Sequence, residues 1–248
     1  MYSTGRAISL ADCLADIDVV ILAGGLGTRL RPVLSDKPKV LAPVGDRTFL
    51  DVLFDRLAEF GAKRVILSLG HLAGEVKAHL AAHRRADMDV QALVEPAPMG
   101  TAGAIRFVHP HLKSSTVLIL NGDSLTGADL CALVAAHRED GADGTLLCAR
   151  VPDAARYGTV ELDARGRIVA FREKTGAAVP GTINAGVYLM EAALLDRVDA
   201  ANGPSLERDV FQMLPAGTLA AFAGDFAFLD IGTPEDLMKV EAFVARGH

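Results

Sequence analysis

At 248 residues and 26.1 kDa, the chain has room for one large α/β domain with a sizeable buried core. Half of its residues are hydrophobic and 23% are charged, a balance that excludes an intrinsically disordered chain. A net charge of −6 with no lysine- or arginine-rich tract argues against nucleic acid as a partner, and no apolar run approaches the ~20 residues of a membrane span.

Residues 1–18 hold Arg6, Asp12, Asp16 and Asp18 without a long apolar stretch, so they read as an N-terminal extension and not as a signal peptide. Cys13, Cys131 and Cys148 are odd in number and lack metal-ligand spacing; they are expected as reduced, packed thiols of a cytoplasmic protein. A β-branched run at 19–22 predicts a strand. It breaks into Ala23-Gly24-Gly25-Leu26-Gly27-Thr28-Arg29-Leu30, and Lys39 follows ten residues after Arg29. Glycines 24, 25 and 27 let backbone N–H groups turn toward one point, making a concave anion site to which Arg29 and Lys39 add mobile charge. Leu30 stands where a dinucleotide fingerprint needs its last glycine, and Thr28-Arg29 stands where a Walker A loop needs Lys-Ser/Thr. The loop is a phosphate cradle of neither common kind.

Alternation continues with a helix over 47–60, Asp46 as its N-cap and Gly61 at its C-terminal end. Then come a strand at 64–69, a helix at 72–83, a strand at 90–94, a helix from about Thr101, a strand at 116–120, a helix at 127–137 and a strand at 144–149. His79 and His83 are four apart on the second helix, on a face expected to be exposed, and without the glutamate of a metalloprotease motif they argue little for a metal. This βαβα order predicts an α/β, doubly wound, mainly parallel Rossmann-like sheet with helices on both faces. After Val151 the pattern changes to a mixed insertion. A hairpin at 159–162 and 167–171 turns at Asp163-Ala-Arg-Gly166, a strand covers 183–190, helices cover 191–198 and 207–214, short strands cover 218–222 and 226–229, and a last helix covers 234–245. Residues 19–248 thus read as a single domain, with 19–150 as its nucleotide-binding part and 151–248 as the remainder.

Ligands of such sheets lie beyond the carboxyl ends of the strands, at the switch in strand order. The glycine loop and Asn121-Gly122-Asp123 both occupy strand ends, which predicts a shared cleft. A carboxylate at Asp123 beside a bound phosphate calls for a divalent cation between them, Mg²⁺ by its preference for oxygen, and for a second carboxylate, which Asp230 supplies at the end of another short apolar run.

The glycine loop with its Lys39-Val-Leu-Ala-Pro-Val block resembles the signature of nucleotidylyltransferases acting on sugar 1-phosphates. Tyr157-Gly158, Phe171-Arg172-Glu173-Lys174 and Asn184-Ala185-Gly186 look like that family's sugar-phosphate elements, and Glu95-Pro-Ala-Pro-Met-Gly100-Thr101 like its base loop. The resemblance implies a nucleotidyltransferase (GT-A-like) fold. It implies that Leu22, Ala23, Gly24, Gly25, Gly27, Thr28, Glu95, Gly100 and Thr101 hold a nucleoside triphosphate, that Gly158, Glu173, Lys174 and Asn184 hold the sugar 1-phosphate, that Arg29, Lys39 and Asp123 are catalytic, and that Asp123 and Asp230 hold Mg²⁺. A carboxylate at Glu95 suits guanine, whose edge offers two adjacent N–H donors, which favours GTP. Three segments, residues 22–31, 98–104 and 230–236, look like those of D-glycero-D-manno-heptose 1-phosphate guanylyltransferases. Mannose-1-phosphate guanylyltransferases and uridylyl- or thymidylyltransferases share much of the pattern, and a non-catalytic regulatory homologue is the reading from another class. The short stretch after Asp230 leaves no room for a second catalytic half, and homo-oligomers are among the partners the resemblance allows.

Overall fold

The computed structural model describes residues 12–25, 27, 30, 34, 37–172, 174 and 176–246. Its elements are β1 (Asp18–Ala23), β2 (Pro43–Val44), β3 (Arg47–Thr48), α1 (Phe49–Glu59), β4 (Arg64–Leu69), α2 (Ala73–Ala82), β5 (Asp89–Val94), α3 (Gly100–Val108), β6 (Thr116–Asn121), β7 (Ser124–Thr126) and α4 (Leu130–Asp140). The second part holds β8 (Gly144–Val151), β9 (Thr159–Leu162), β10 (Ile168–Arg172), β11 (Gly181–Glu191), α5 (Ala192–Ala200), β12 (Leu219–Gly224), β13 (Phe228–Asp230), α6 (Pro234–Leu237) and α7 (Val240–Ala245).

Among the described residues, nine strands form one sheet in the order β10-β9-β11-β6-β1-β4-β5, with β8 joining β11 and β12 joining β8. β1 lies parallel to both β4 and β6, so the chain order reverses around it. β5 extends the parallel half from β4, whereas β11 runs antiparallel to β6, β8 and β9. Side chains of β1 alternate between two cores, as period-2 geometry demands. Val19 and Ile21 join Leu50, Phe54, Leu57, Leu133 and Val134 from α1 and α4; Val20 joins Ile105 and Val108 of α3 and Leu194 and Val198 of α5. The central strands are therefore buried on both faces, which is why they read as unbroken apolar runs.

Where the boundaries differ from the sequence expectation, local hydrogen bonding explains it. The cap of α1 is Thr48, not Asp46: its hydroxyl accepts from the Asp51 N–H, and the Asp51 carboxylate accepts from the Thr48 N–H at 2.9 Å. Asp46 lies instead in the turn of the β2–β3 ribbon. Gly61 follows α1 with φ +78°, its N–H donating to Ala58 O. α4 begins three residues late because β7 pairs with β13, and Asp129 then caps the helix through the N–H groups of Cys131 and Ala132. The 207–214 segment is a wide turn of π geometry (Leu206–Val210) followed by a 3-10 turn, not an α-helix. His79 is not on an exposed face; its Nε2 pairs with Asp51 Oδ1 at 2.8 Å.

The thiol expectation is corrected. Cys13 and Cys131 form a disulfide, tying the segment before β1 to the first turn of α4, with Cα atoms 5.4 Å apart. Their separation of 118 residues hides this pair from sequence spacing. Cys148 is the free cysteine; burial pushes its thiol up to about 12. Among the described residues, no helix is long and apolar enough to cross a membrane.

Closing so long a loop contributes about 5 kcal/mol in the chain-entropy account. Cys13→Ser is expected to lower the unfolding free energy by about that amount in urea titrations, and alkylation of the unfolded, unreduced protein should modify Cys148 alone. At α6, Asp236 is buried. Burial works to raise its pKa, but donors from Arg156, Lys239 and Thr233 outweigh it and hold the group at about 2, below its usual 3.8. Its contribution is thus complete above the ordinary aspartate range and lost as pH falls through about 2. Asp236→Asn should cost roughly 1–3 kcal/mol at neutral pH, a difference that thermal melts should show narrowing toward pH 2.

Candidate active site

At the carboxyl ends of β1, β4 and β6 the backbone closes on itself. A Cβ built on Gly70 would lie 2.5 Å from Gly24 O, and one on Gly122 2.8 Å from Leu22 O. Gly122 also donates its N–H to Leu22 O at 2.9 Å. Beyond these ends open two cavities. The first, about 340 Å³, is lined by Leu22, Ala23, Gly24, Gly25, Lys39, Glu95, Gly100, Thr101 and Asp123, among others. The second, about 480 Å³ and strongly polar, is lined by Asn121, Asp123, Tyr157, Gly158, Arg172, Asn184, Ser205, Glu207, Arg208 and Asp230, among others. Asp123 lines both.

In the first cavity Glu95 is only 8% exposed. Its Oε1 accepts from the Ser68 hydroxyl at 2.8 Å and its Oε2 from the Met99 N–H at 3.2 Å. Gly100 has φ +69°, and a Cβ there would meet Pro204 O at 2.4 Å, so only glycine starts α3 at this distance from the 204–206 loop. Thr101 Oγ1 accepts from the Leu206 N–H, and Pro204 O from the Ala102 N–H. Arg106 donates to the carbonyls of Val198, Ala201 and Gly203, closing the end of α5 against α3. This wall of the first cavity is therefore locked to the second half of the chain. Gly27, with φ +56°, packs against the Lys39 side chain. Thr28, Arg29 and Glu173 lie outside the described residues.

Lys39 begins a 3-10 turn whose next residues, Val40 and Leu41, are buried, and this anchors its backbone. Its ε-ammonium lies 2.6 Å from Asp123 Oδ2 and 3.6 Å from Asp230 Oδ1. The two aspartates meet because β7 pairs with β13, setting Ser124 opposite Asp230, and the Ile231 N–H donates to Asp123 O at 2.9 Å. A single cation thus reaches both carboxylates. Two hard anionic oxygens facing one point also suit a divalent cation of the Mg²⁺ kind. A separate group, His109 with Asp196 and Asp199, has ligand atoms within 4.8 Å of one another but lines neither cavity.

In the second cavity, Asn184 Oδ1 accepts from the Gly186 N–H and its Nδ2 donates to the Tyr188 hydroxyl. That hydroxyl donates to Glu207 Oε1 at 3.0 Å; burial, with Glu207 beside it, raises the phenol pKa and keeps it protonated. Gly186, φ +71°, sits at an irregularity in β11, where a Cβ would strike Asn121 Nδ2 at 2.4 Å. Gly158 backs onto Arg172 O, and Lys174 is exposed outside the lining. Ser205, Glu207, Arg208 and Gln212 are not among the sequence expectations, because 207–214 reads as a helix and Ser205 lies in the turn before it. Gly203-Pro204-Ser205 was the available signal, a turn sequence followed by a capping serine.

Residues 18–247 match the family model described as nucleotidyl transferase. The chain is 36% identical over 234 residues to the mannose-1-phosphate guanylyltransferase of Mycobacterium tuberculosis, covering 93% of this chain and 65% of that protein. It is 34% identical over 226 residues to the D-glycero-alpha-D-manno-heptose 1-phosphate guanylyltransferase of Aneurinibacillus thermoaerophilus, covering 91% of this chain and 97% of that one. Among solved structures, HddC from Yersinia pseudotuberculosis complexed with GMP-PN superposes with a TM-score of 0.81 at 30% identity, covering 92% of this chain and 99% of that one. With its cleft at the strand-order switch and its two aspartates bridged by a lysine, the chain belongs to the nucleotidyl transferase family.

Proposed function

We propose that the protein transfers a guanylyl group from GTP to D-glycero-D-manno-heptose 1-phosphate, releasing pyrophosphate and forming a nucleotide sugar for surface glycans in the cytoplasm. The observation that carries the reading is Asp123, shared by the two cavities and joined through Lys39 to Asp230. A phosphate-transfer reaction needs its two substrates to meet at such a point. The phosphate oxygen of the sugar substrate attacks the α-phosphorus in line, and the bond to the β-phosphate oxygen breaks. That oxygen is already anionic, so no general base is required; positioning and charge neutralisation supply the catalysis.

Asp123 and Asp230 are the residues that would hold Mg²⁺, which when bound supplies charge neutralisation to the phosphates. Lys39, with Arg29, stabilises the charge that develops on the departing pyrophosphate. Leu22, Ala23, Gly24, Gly25, Gly27 and Thr28 hold the nucleotide, with Gly100 and Thr101 beside the base and the Glu95 carboxylate accepting from its edge. Glu173 accepts from sugar hydroxyls, Lys174, two residues beyond the lining residue Arg172, reaches the 1-phosphate from outside the cavity wall, and Gly158 and Asn184 complete that contact. A mannose 1-phosphate acceptor is the second reading, favoured by the similarity to the mycobacterial enzyme, of which this chain spans 65%.

Incubation with Mg²⁺, a panel of sugar 1-phosphates and each of five nucleoside triphosphates is expected to release pyrophosphate best with GTP and heptose 1-phosphate. Best release with mannose 1-phosphate would select the second reading, and silence across the panel would remove both. Asp123→Ala should keep its thermal melt while turnover falls at least about 10²- to 10³-fold; a folded variant with near-normal turnover would withdraw Asp123 from the mechanism.

A further inference from the structure

Ser68 is a polar residue in the middle of the parallel half of the sheet, on β4, and it is fully buried at 0% exposure. Its neighbours along the strand, Ile66, Leu67 and Leu69, are apolar core residues. Burying a hydroxyl there is unfavourable unless it is hydrogen-bonded. The side-chain bond it makes is the 2.8 Å donation to Glu95 Oε1.

The same residue is held at three further places. The Glu95 N–H donates to Leu69 O at 2.7 Å, Oε2 accepts from the Met99 N–H, and the carboxylate packs against Gly24. A Cβ on Gly24 would lie 2.4 Å from Oε1 and 2.9 Å from both Cδ and Oε2. Backbone contacts place the residue and its Oε2, but the Ser68 hydroxyl is the side-chain donor that sets Oε1. Without it, the Met99 N–H bond to Oε2 is the hydrogen bond left on the carboxylate, and its last torsion, which is broad and soft, is less tightly set.

We propose that Ser68 is a positioning residue for base selection, orienting the Glu95 carboxylate so that both of its oxygens face the nucleobase together. This rests on the reading that Glu95 meets the base. Each carboxylate oxygen has two lone pairs, so one bond to the protein leaves one free on each. Two adjacent acceptors match guanine, whose N1–H and exocyclic amine donate side by side. Adenine sets a ring acceptor beside its amine, and uracil flanks its single N–H with two carbonyls. Discrimination therefore depends on both oxygens being aligned, not merely on a negative charge being near.

Binding of GTP, UTP and ATP would be measured by calorimetry without sugar phosphate, on the wild-type protein and on Ser68→Ala and Ser68→Cys, each checked by thermal melt. The alanine variant is expected to lose roughly tenfold to a hundredfold in GTP affinity, with UTP and ATP changed less than about threefold. The cysteine variant, a weaker donor of similar size, should fall between the two, and it carries the test if the alanine variant does not fold. In turnover assays KM for the sugar phosphate should not move. An unchanged GTP:UTP ratio in a folded variant, or an equal loss for all three nucleotides, overturns the role of Ser68. A wild-type protein without preference for GTP overturns the reading of Glu95 and the proposal with it.

Discussion

Three strand ends come together so tightly in this sheet that no side chain fits where they stop. Gly24, Gly70 and Gly122 follow β1, β4 and β6, and for each a Cβ would collide with a neighbour, the Glu95 carboxylate, Gly24 O and Leu22 O respectively. What remains at the surface of the cleft is backbone, whose N–H groups bind anions without a side chain to obstruct them. The convergence is held from below. β1 is clamped between two apolar cores, and shifting it would disturb both at once. A cleft built this way is a property of the whole sheet, not of its loops.

Charge is arranged by the same economy. Two carboxylates brought together by a small ribbon would repel each other, and the Lys39 ammonium lies between them. Deeper in the fold, Asp18 is buried at the start of β1, accepting from the Lys113 N–H, paired with Arg64 at 2.7 Å and also accepting from the Ser114 N–H. Burial works to raise its pKa, yet these donors win and lower it. One buried aspartate is fully satisfied by its own fold. The pair at Asp123 and Asp230 stands at a cleft and shares one ammonium between two carboxylates.

The local part of the architecture was legible in sequence. The β-branched run before Gly24, the glycines, Lys39, and the aspartates at the ends of apolar runs each announce themselves within a dozen residues. So does the alternation that makes β1, β4, β5 and β6 parallel. What escaped depends on partners far along the chain. Thr48 displaced Asp46 as a cap because the β2–β3 ribbon uses the earlier residues. α4 starts late because β7 pairs with a strand a hundred residues away. Cys13 and Cys131 join because both flanking segments bond to the end of α1, the Leu14 N–H donating to Phe60 O and Arg56 donating to Ala128 O. The Ser205–Arg208 turn enters the second cavity because α3 seats its first turn on Pro204. No periodicity of 3.6 or 2 encodes such meetings.

The β7–β13 ribbon has a consequence for how the site comes into being. Only three residue pairs join it, and its two strands lie at opposite ends of the second half of the chain. As the polypeptide leaves the ribosome, every residue of the first cavity has been made once Asp123 emerges, yet Asp230 is still more than a hundred residues from synthesis. β12, which seals the edge of β8, comes only just before it. The residues lining the first cavity are therefore synthesised well before Asp230, and the contact that joins the two aspartates through Lys39 forms only after β13 has followed.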